Sequence, residues 1–457
     1  MDRSDEYNDL EWAIGLNRCM LKIIGLWPEE TKDHREKLLS KLRLLLNIIM
    51  LIFVLTIPAL VSLIRVWGDM ILMIDNLQYT LPLLITALKV FIMWHKKEVL
   101  SPIVNMIVKD WMRVKIEKER SVMLKQARII RSLAICGVIM ILCTLVVAIG
   151  CFFFGQSVRH VTNFTDPIGK PLPIQTYYLH DVSSSPKYEL TYLIQIIGLT
   201  ASGFSYTAVD NFLGLLILHV CGQMENLHVR ILNLGKDPNF KAVLKYNVKD
   251  HIRLIRSIEI IDNTFNLMLL GLLFFFGILF CLHGFLIISV FNRSDHLSFT
   301  QLIWYISESV CVLMHTCLYC AIGEHLMTQS EKIHRATYDY KWYTLEPKKA
   351  KNLTLIMLCV KKPVNITAGK TFPMTMSTFC NVSCVEHIKY AIIFFLFYLN
   401  YETLFFLDHC THYNFRAIYF FQVFNILRLS KGSNVSVAKN ISGLYIRVTC
   451  QSRLMPT

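Results

Sequence analysis

Chemistry in this sequence would have to come from a few ionisable side chains inside apolar stretches. Four acidic or basic residues interrupt blocks that are otherwise free of charge, namely Asp75, Lys89, Asp210 and Glu308. Charges are costly in lipid, so such residues usually pair, line a polar cavity or mark a ligand path. The positions of Asp75 and Asp210 favour wet membrane boundaries, and Lys89 can extend toward the polar surface. Glu308 either lines a polar cavity or makes an internal hydrogen bond.

Patterns typical of enzymes and metal sites are missing. The sequence contains no HExxH, no GxxxxGK[ST] and no GxSxG motif. Cys317 and Cys320 have CxxC spacing, but no second pair follows, so packing explains them better than a metal or redox role. His283 stands alone in its apolar stretch, which favours a satisfied packing role over a ligand role. We therefore predict no catalytic residue, no metal and no cofactor.

Composition assigns the chain to the membrane. Of the 457 residues, 54% are hydrophobic and 18% are charged, against about 25% charged in soluble proteins. Long charge-free blocks exclude a soluble enzyme, a disordered chain and a secreted disulfide scaffold. The net charge of +14 does not indicate nucleic-acid binding, because the basic residues occupy the gaps between blocks rather than one face of a soluble fold. A multi-pass protein in contact with lipid remains.

The apolar blocks have the length of transmembrane helices. A helix needs about 20 apolar residues to cross a hydrocarbon core of about 30 Å. Six blocks qualify, and an incomplete seventh starts near residue 371. The predicted fold class is an all-α membrane protein with seven transmembrane helices, whose first six spans are 44–64, 70–94, 132–155, 191–218, 263–292 and 299–323.

Lysine and arginine counts predict the orientation. The N-terminal segment and the even-numbered gaps hold 34 basic residues, whereas the alternate gaps hold five. Residues 1–43 are therefore expected in the cytoplasm, which is the reverse of a G-protein-coupled receptor. Two Asn-x-Ser/Thr sequons fall in the outer gaps, and Asn163 and Asn292 are predicted glycosylation sites.

Stretches without glycine or proline predict long helices on the cytoplasmic side. Ser101-Pro102 resembles a helix start, and the run from Ile103 to Cys136 predicts one continuous helix into the third span. The runs 240–270 and 324–346 have the same character. These helices either form a cytoplasmic bundle or are ordinary solvated loops. Apolar residues at helical spacing favour the bundle.

The outer halves of spans two, three, four and six mix aromatic, sulfur and small polar side chains. This mixture suits a small, largely apolar ligand held by one or two hydrogen bonds. It equally suits plain helix packing, which sequence alone does not separate from binding. The predicted ligand contacts are Met73, Asn76, Tyr79, Gly150, Phe153, Tyr192, Gln195 and Trp304.

Several local sequences resemble one family in order and spacing. They cover the chain from about Leu16 to Asn381, and together with the inverted topology they resemble the insect odorant receptors. The matching pieces are Leu21-Lys-Ile-Ile-Gly-Leu-Trp-Pro28, Cys221-Gly-Gln-Met-Glu-Asn-Leu227, Gln329-Ser-Glu-Lys-Ile-His-Arg-Ala336, Trp342-Tyr343, Lys362-Pro363 and Thr367-Ala-Gly-Lys-Thr-Phe-Pro-Met374.

The resemblance implies a function. It implies a subunit that binds a small volatile odorant and gates a non-selective cation channel in a heterotetramer with a co-receptor subunit. It also implies an odorant pocket among spans two, three, four and six, and a place in the cell membrane of olfactory sensory neuron dendrites. The short loop after span four resembles a tuning subunit, because the co-receptor has a long insertion there.

The end of the chain departs from the family. The charge-free stretch from Thr371 to Val385 has 15 residues, about 22 Å of helix, which is too short to cross. The family's terminal pattern, Thr-x-Tyr followed by four apolar residues and Gln-Phe, is also missing. Since Val382-Ser383 can be encoded by a splice-donor sequence, we interpret residues 382–457 as translated intron. In that interpretation the functional receptor region is 44–381. A genuine divergent tail is the alternative.

Three other functions compete with this interpretation. A G-protein-coupled receptor needs the opposite orientation and Asp-Arg-Tyr and Asn-Pro-x-x-Tyr signatures, which the sequence lacks. A gustatory receptor is closer, and the missing terminal pattern weakens its separation from an odorant receptor. A transporter often shows repeated halves, and no internal repeat is visible.

Overall fold

The structure is a computed structural model. It describes residues 3–28, 33–113, 115–154, 187–234, 239–292, 299–340, 342–360 and 363–381, together with 157, 159, 161–162, 164–166, 170–178, 182 and 184–186. Side chains are described outside 3–4, 285–303, 355–356 and 359–360. All of these residues belong to the first of the two units into which the chain divides, Met1–Ala391 and Ile392–Thr457.

The described chain is almost entirely helical. Among the described residues, six helical stretches are long and apolar enough to cross a membrane, and each overlaps one of the six predicted spans. In chain order the elements are α1 (Arg3–Ile23), α2 (His34–Ile48), a π-helical segment (Ile49–Thr56), α3 (Ile57–Arg65), α4 (Met70–Trp111), α5 (Glu117–Phe154), α6 (Lys187–Leu232), α7 (Phe240–Asn292), α8 (Phe299–Asp339), a 3-10 turn (Trp342–Thr344), α9 (Pro347–Val360), β1 (Thr367–Ala368), β2 (Phe372–Pro373) and α10 (Met376–Asn381).

Helix α6 lies at the centre of the described bundle. It contacts α1, α4, α5, α7 and α8, and most of its residues from Ala208 to Leu227 are buried. Helix α5 packs against it along one side and leaves Ile139, Leu142 and Val146 exposed on the other. An exposed apolar face of this length fits contact with lipid. Helix α1, which the hydropathy pattern did not predict, buries Ile14 and Leu21 in the same core.

The predicted helix start at Ser101-Pro102 is wrong. Helix α4 continues through Pro102 to Trp111, and α5 begins only at Glu117. Proline removes the hydrogen bond to the carbonyl four residues earlier, here that of Glu98, which is exposed and so within reach of solvent. The helix ends where the Lys115 ammonium group donates to the carbonyl of Trp111 at 2.5 Å, a favourable place for a cation.

The other two long-helix predictions fare better. Helix α7 is continuous over 240–292 and includes the predicted run 240–270. Helix α8 ends at Asp339, before the predicted end of the run 324–346. The predicted seventh span is described only as far as α10, and its continuation from residue 382 lies outside the described residues.

Candidate ligand site at the α5–α6 end

Residues 170–178, here called the inserted segment, enter the bundle at the end where α5 stops and α6 begins. Ile174 and Gln175 are buried. The backbone N–H of Tyr177 donates to the carbonyl of Pro58 at 3.0 Å, and the Tyr178 hydroxyl donates to the carbonyl of Val54 at 3.0 Å. Pro58 has no N–H to offer the carbonyl four residues before it, so the Tyr178 hydroxyl bonds an acceptor that a regular helix would occupy.

Asn76, one of the predicted ligand contacts, is committed to the inserted segment. Its side-chain amide donates to the carbonyl of Gln175 and to that of Ala59, each at 3.2 Å. Its amide oxygen accepts from the Thr80 hydroxyl at 2.7 Å. The residue is buried, and these bonds fix α4 to both α3 and the inserted segment.

Gln195 on α6 also fixes the inserted segment to the bundle. Its amide nitrogen donates to the Thr176 hydroxyl at 2.7 Å and to the Tyr178 hydroxyl at 3.0 Å. Its oxygen accepts from the backbone N–H of Ile174 at 3.4 Å. Burial raises the pKa of Tyr178, although the hydrogen bond from Gln195 opposes the shift. The phenol therefore stays neutral, and its O–H remains available to donate to the carbonyl of Val54.

An aromatic cluster lies beside the inserted segment. The rings of Phe152 and Tyr192 are 4.8 Å apart, and Tyr188 lies 6.3 Å from Phe152 and 5.9 Å from Tyr192. The Tyr192 hydroxyl donates to the carbonyl of Ala148 at 2.8 Å. The predicted contact Phe153 is 77% exposed, and the centre of its ring lies 5.6 Å from that of Phe152. Phe152, which the sequence analysis missed, is the phenylalanine that faces Tyr192.

The remaining predicted contacts are distributed over α4, α5 and α8. A Cβ placed on Gly150 would meet no atom within 4 Å, so open space lies next to it. Met73 is half-buried, and Tyr79 packs against the core. The indole N–H of Trp304 is buried and has no hydrogen-bond partner among the described residues.

Three ionisable residues at this end differ in how they compare with the sequence predictions. Asp75 is fully buried and not wet, and its carboxylate accepts from the Gln78 amide at 3.0 Å. His283 is not satisfied, since both ring nitrogens lack a hydrogen-bond partner in the described part of the chain. Its Nε2 lies 3.7 Å from Glu308 Oε2. Glu308 thus lines a polar region and makes no close hydrogen bond through Oε2.

Further along the bundle, Lys89 and Asp210 form a buried ion pair. The Lys89 ammonium lies 2.5 Å from Asp210 Oδ1 and 3.1 Å above the Tyr206 ring. His315 Nε2 lies 2.9 Å from the other carboxylate oxygen. Neither the snorkelling position predicted for Lys89 nor the wet boundary predicted for Asp210 is correct.

Metal and modification sites complete the comparison with the sequence. The described residues hold no group of three potential metal ligands, and Cys317 and Cys320 are free thiols. The predicted glycosylation site Asn163 lies outside the described residues. Asn292 ends α7, and its side chain is not among those described.

Comparisons with known proteins agree on one family. A profile of the 7tm odorant receptor family matches residues 69–384. Odorant receptor 13a of Drosophila melanogaster is 28% identical over 235 residues, which are 47% of this chain and 55% of that protein. Odorant receptor 10 of Aedes albopictus is 23% identical over 219 residues, 47% of this chain and 57% of that protein. The chain thus spans little more than half the length of these relatives.

Solved structures share the fold. The insect olfactory receptor OR5 from Machilis hrabei, in complex with eugenol, matches with a TM-score of 0.71 at 15% identity, over 85% of this chain and 98% of that chain. A second structure of the same receptor also matches with a TM-score of 0.71 at 14% identity, over 85% of this chain and 99% of that chain. The predicted fold class, an all-α membrane protein with the insect odorant receptor fold, is confirmed.

Proposed function

Because the chain belongs to the 7tm odorant receptor family, a family of receptors rather than enzymes, we propose that it is the odorant-binding subunit of a ligand-gated cation channel. It binds a small volatile ligand and opens a non-selective cation pore in a heterotetramer with a co-receptor subunit. The observation that carries the proposal is the fold match over nearly the whole of a solved olfactory receptor that was determined with a small aromatic molecule.

The ligand site proposed for this chain lies at the α5–α6 end. Gly150, Tyr192 and the half-buried Met73 supply space, an aromatic wall and a flexible thioether. Tyr79 and Trp304 supply further ring surface from α4 and α8. Asn76 and Gln195 act indirectly, because their amides hold the inserted segment over this end of the bundle.

Orientation and location follow from charge. The excess of lysine and arginine in alternate gaps supports a cytoplasmic N-terminus and an outward-facing α5–α6 end. The exposed apolar face of α5 supports direct contact with membrane lipid. We place the protein in the cell membrane of olfactory sensory neuron dendrites.

The experiment is co-expression with a co-receptor subunit and recording of currents across a panel of odorants. Two forms are compared, the 457-residue chain and a chain joined after Asn381 to a complete seventh span. Odour-evoked cation currents that need both subunits support the proposal. A chain with a complete seventh span that reaches the surface and gives no current with any odorant contradicts it.

An epitope tag on the N-terminus separates this function from a G-protein-coupled receptor. Staining that requires permeabilised cells agrees with the proposed orientation. Staining of intact cells would place the N-terminus outside the cell and contradict the proposed orientation.

A further inference from the structure

A set of polar side chains with unpartnered atoms lies on α4, α7 and α8, and its members on α7 and α8 lie close together. We call it the polar cluster, and it consists of Gln78, His283, Trp304, Tyr305 and Glu308. The rings of His283 and Tyr305 are 6.4 Å apart, and His283 Nε2 is 3.7 Å from Glu308 Oε2. Gln78 lies on α4 and donates to Asp75 Oδ1 at 3.0 Å, and Trp304 lies one helical turn before Glu308 on α8. Gln78, His283 and Tyr305 are each 1% exposed.

The members of the polar cluster leave donors and acceptors without partners. Within the described residues, no hydrogen bond reaches Gln78 Oε1, His283 Nδ1 or Nε2, Trp304 Nε1, the Tyr305 hydroxyl or Glu308 Oε2. Buried polar atoms are almost always hydrogen-bonded, and isolated exceptions need an explanation. Several exceptions in one place indicate a site prepared for a polar group from outside the chain.

We propose that the polar cluster is a subsite that binds the hydroxyl group of an alcohol or phenol. This inference rests on the proposed function and names the chemical class of its ligand. A hydroxyl group donates one hydrogen bond and can accept one or two others. It can donate to Glu308 Oε2 and accept from the Trp304 indole or the Tyr305 hydroxyl, so that acceptor and donor are satisfied by one group.

Other ligand classes match the polar cluster less well. An ether or ester oxygen only accepts, so it satisfies a donor such as the Trp304 N–H but none of the acceptors. A carboxylate also only accepts, and its charge is costly to bury beside the Glu308 carboxyl group. An ammonium group only donates, so it leaves the Trp304 N–H without an acceptor. Sites built to bond a hydroxyl discriminate strongly against analogues that lack it, because buried polar groups then stay unpaired.

The test uses the full chain in lipid nanodiscs and measures binding through the ligand-induced shift of apparent Tm. The probes are 1-octanol, methyl octyl ether, octane and octylamine. The chain should bind 1-octanol at least tenfold more tightly than the ether or octane. Tyr305→Phe and Glu308→Gln should each reduce that ratio to threefold or less. Ser309→Ala is the matched control, since its hydroxyl is bonded to its own helix at the Tyr305 carbonyl, and it should keep the full ratio.

A second measurement needs no ligand. Tyr305→Phe removes a hydroxyl that lacks a partner, so the ligand-free variant should have an unchanged or higher apparent Tm. A large decrease would mean that internal water already satisfies the hydroxyl, which overturns the subsite.

Each remaining outcome also decides the proposal. Equal affinity for alcohol and ether overturns the subsite while leaving odorant binding intact, and tightest binding of octylamine replaces it with a cation site. Binding of none of the four probes overturns it too. The proposed function is then judged separately, by the currents of the form with a complete seventh span.

Discussion

Lys89 and Asp210 lie 121 residues apart in sequence and 2.5 Å apart in space, with the lysine side chain fully buried. His315 approaches the same carboxylate from a third helix, and the Tyr206 ring covers the ammonium group. The pair therefore ties α4, α6 and α8 together in the interior. These are three of the four helices that carry the proposed ligand contacts.

Removing the lysine should destabilise the protein far more than removing an exposed one. Lys89→Met removes the ammonium group beside the buried Asp210 carboxylate, and breaking a buried pair typically costs about 3–5 kcal/mol. We expect a marked fall in apparent Tm and in surface expression. Lys349→Met is the control, because Lys349 forms an exposed pair with Glu346 at 3.3 Å, and such pairs contribute about 0–1 kcal/mol.

The double variant Lys89→Met/Asp210→Leu tests whether the loss comes from the orphaned charge. Replacing both charges by apolar groups is often neutral, so the double variant should be more stable than Lys89→Met alone. A double variant that is as unstable as the sum of both single variants would show that specific hydrogen bonds, and not the unpaired charge, dominate.

The inserted segment should loosen when its amide anchors are removed. Asn76→Leu deletes the donor to the Gln175 carbonyl and leaves that buried acceptor unpaired, at a cost of about 1–3 kcal/mol. Hydrogen exchange of the Tyr177 amide, which bonds to Pro58, should become faster. Thr200→Val is the control, because the Thr200 hydroxyl bonds only its own helix in the described structure. Unchanged exchange in Asn76→Leu would contradict the anchoring role.

The short β1–β2 hairpin depends on a close approach to α8. A Cβ on Gly323 would lie 2.1 Å from the carbonyl oxygen of Met374. Asp262 on α7 holds the hairpin from the other side by accepting from the backbone N–H of Thr367 at 2.7 Å. Gly323→Ala must move the hairpin, and overpacking of this kind costs about 1–3 kcal/mol.

Gly150→Ala is the matched comparison for Gly323→Ala. No atom lies within 4 Å of its added Cβ, and alanine has the higher helix propensity by about 1 kcal/mol. Apparent Tm should therefore fall for Gly323→Ala and stay or rise for Gly150→Ala. Equal shifts in the two variants would refute the steric argument.

Neighbouring phenylalanines at the end of α5 offer another contrast. Phe152 packs on Tyr192, whereas Phe153 is exposed. Phe152→Ala should lower apparent Tm, with a loss of about 1–3 kcal/mol, and shift the dose–response curve of an activating odorant. Phe153→Ala should leave stability nearly unchanged. A shift in odorant response from Phe153→Ala alone would restore Phe153 as the contact.

Composition was enough to predict the six spans, because the length of an apolar block depends only on local sequence. The partners of the charged residues were not predictable in this way. Whether Lys89 reaches Asp210 depends on how three helices are rotated about their axes, and hydropathy does not fix that rotation. Similarly, Asn76 and Gln195 were predicted as ligand contacts, but the partner of their amides is an irregular segment with no periodicity to detect. Proline misled the prediction at residue 102 because its exposed position made the missing hydrogen bond tolerable.

The last prediction concerns residues 382–457, which lie outside the described structure and almost wholly outside the family match, which ends at residue 384. A pore-lining helix must cross the bilayer with its backbone satisfied. The hairpin occupies the chain up to Pro373, and α10 begins at Met376. Only ten residues, 376–385, then remain before Glu386, about 15 Å of helix.

Continuing that helix would place Glu386 and Lys389 in the hydrocarbon core, at about 2.5–3.5 kcal/mol each on insertion scales. A later helix over 390–407 contains Glu402 and would put the pore residues out of register. The 457-residue form should therefore give no odour-evoked current with the co-receptor, even when surface labelling shows that it reaches the membrane. A form spliced after Asn381 to a complete seventh span should conduct. Transcript sequencing provides the independent check, and dominant messages that read through Val382, together with robust currents from that form, would show that the tail is functional protein.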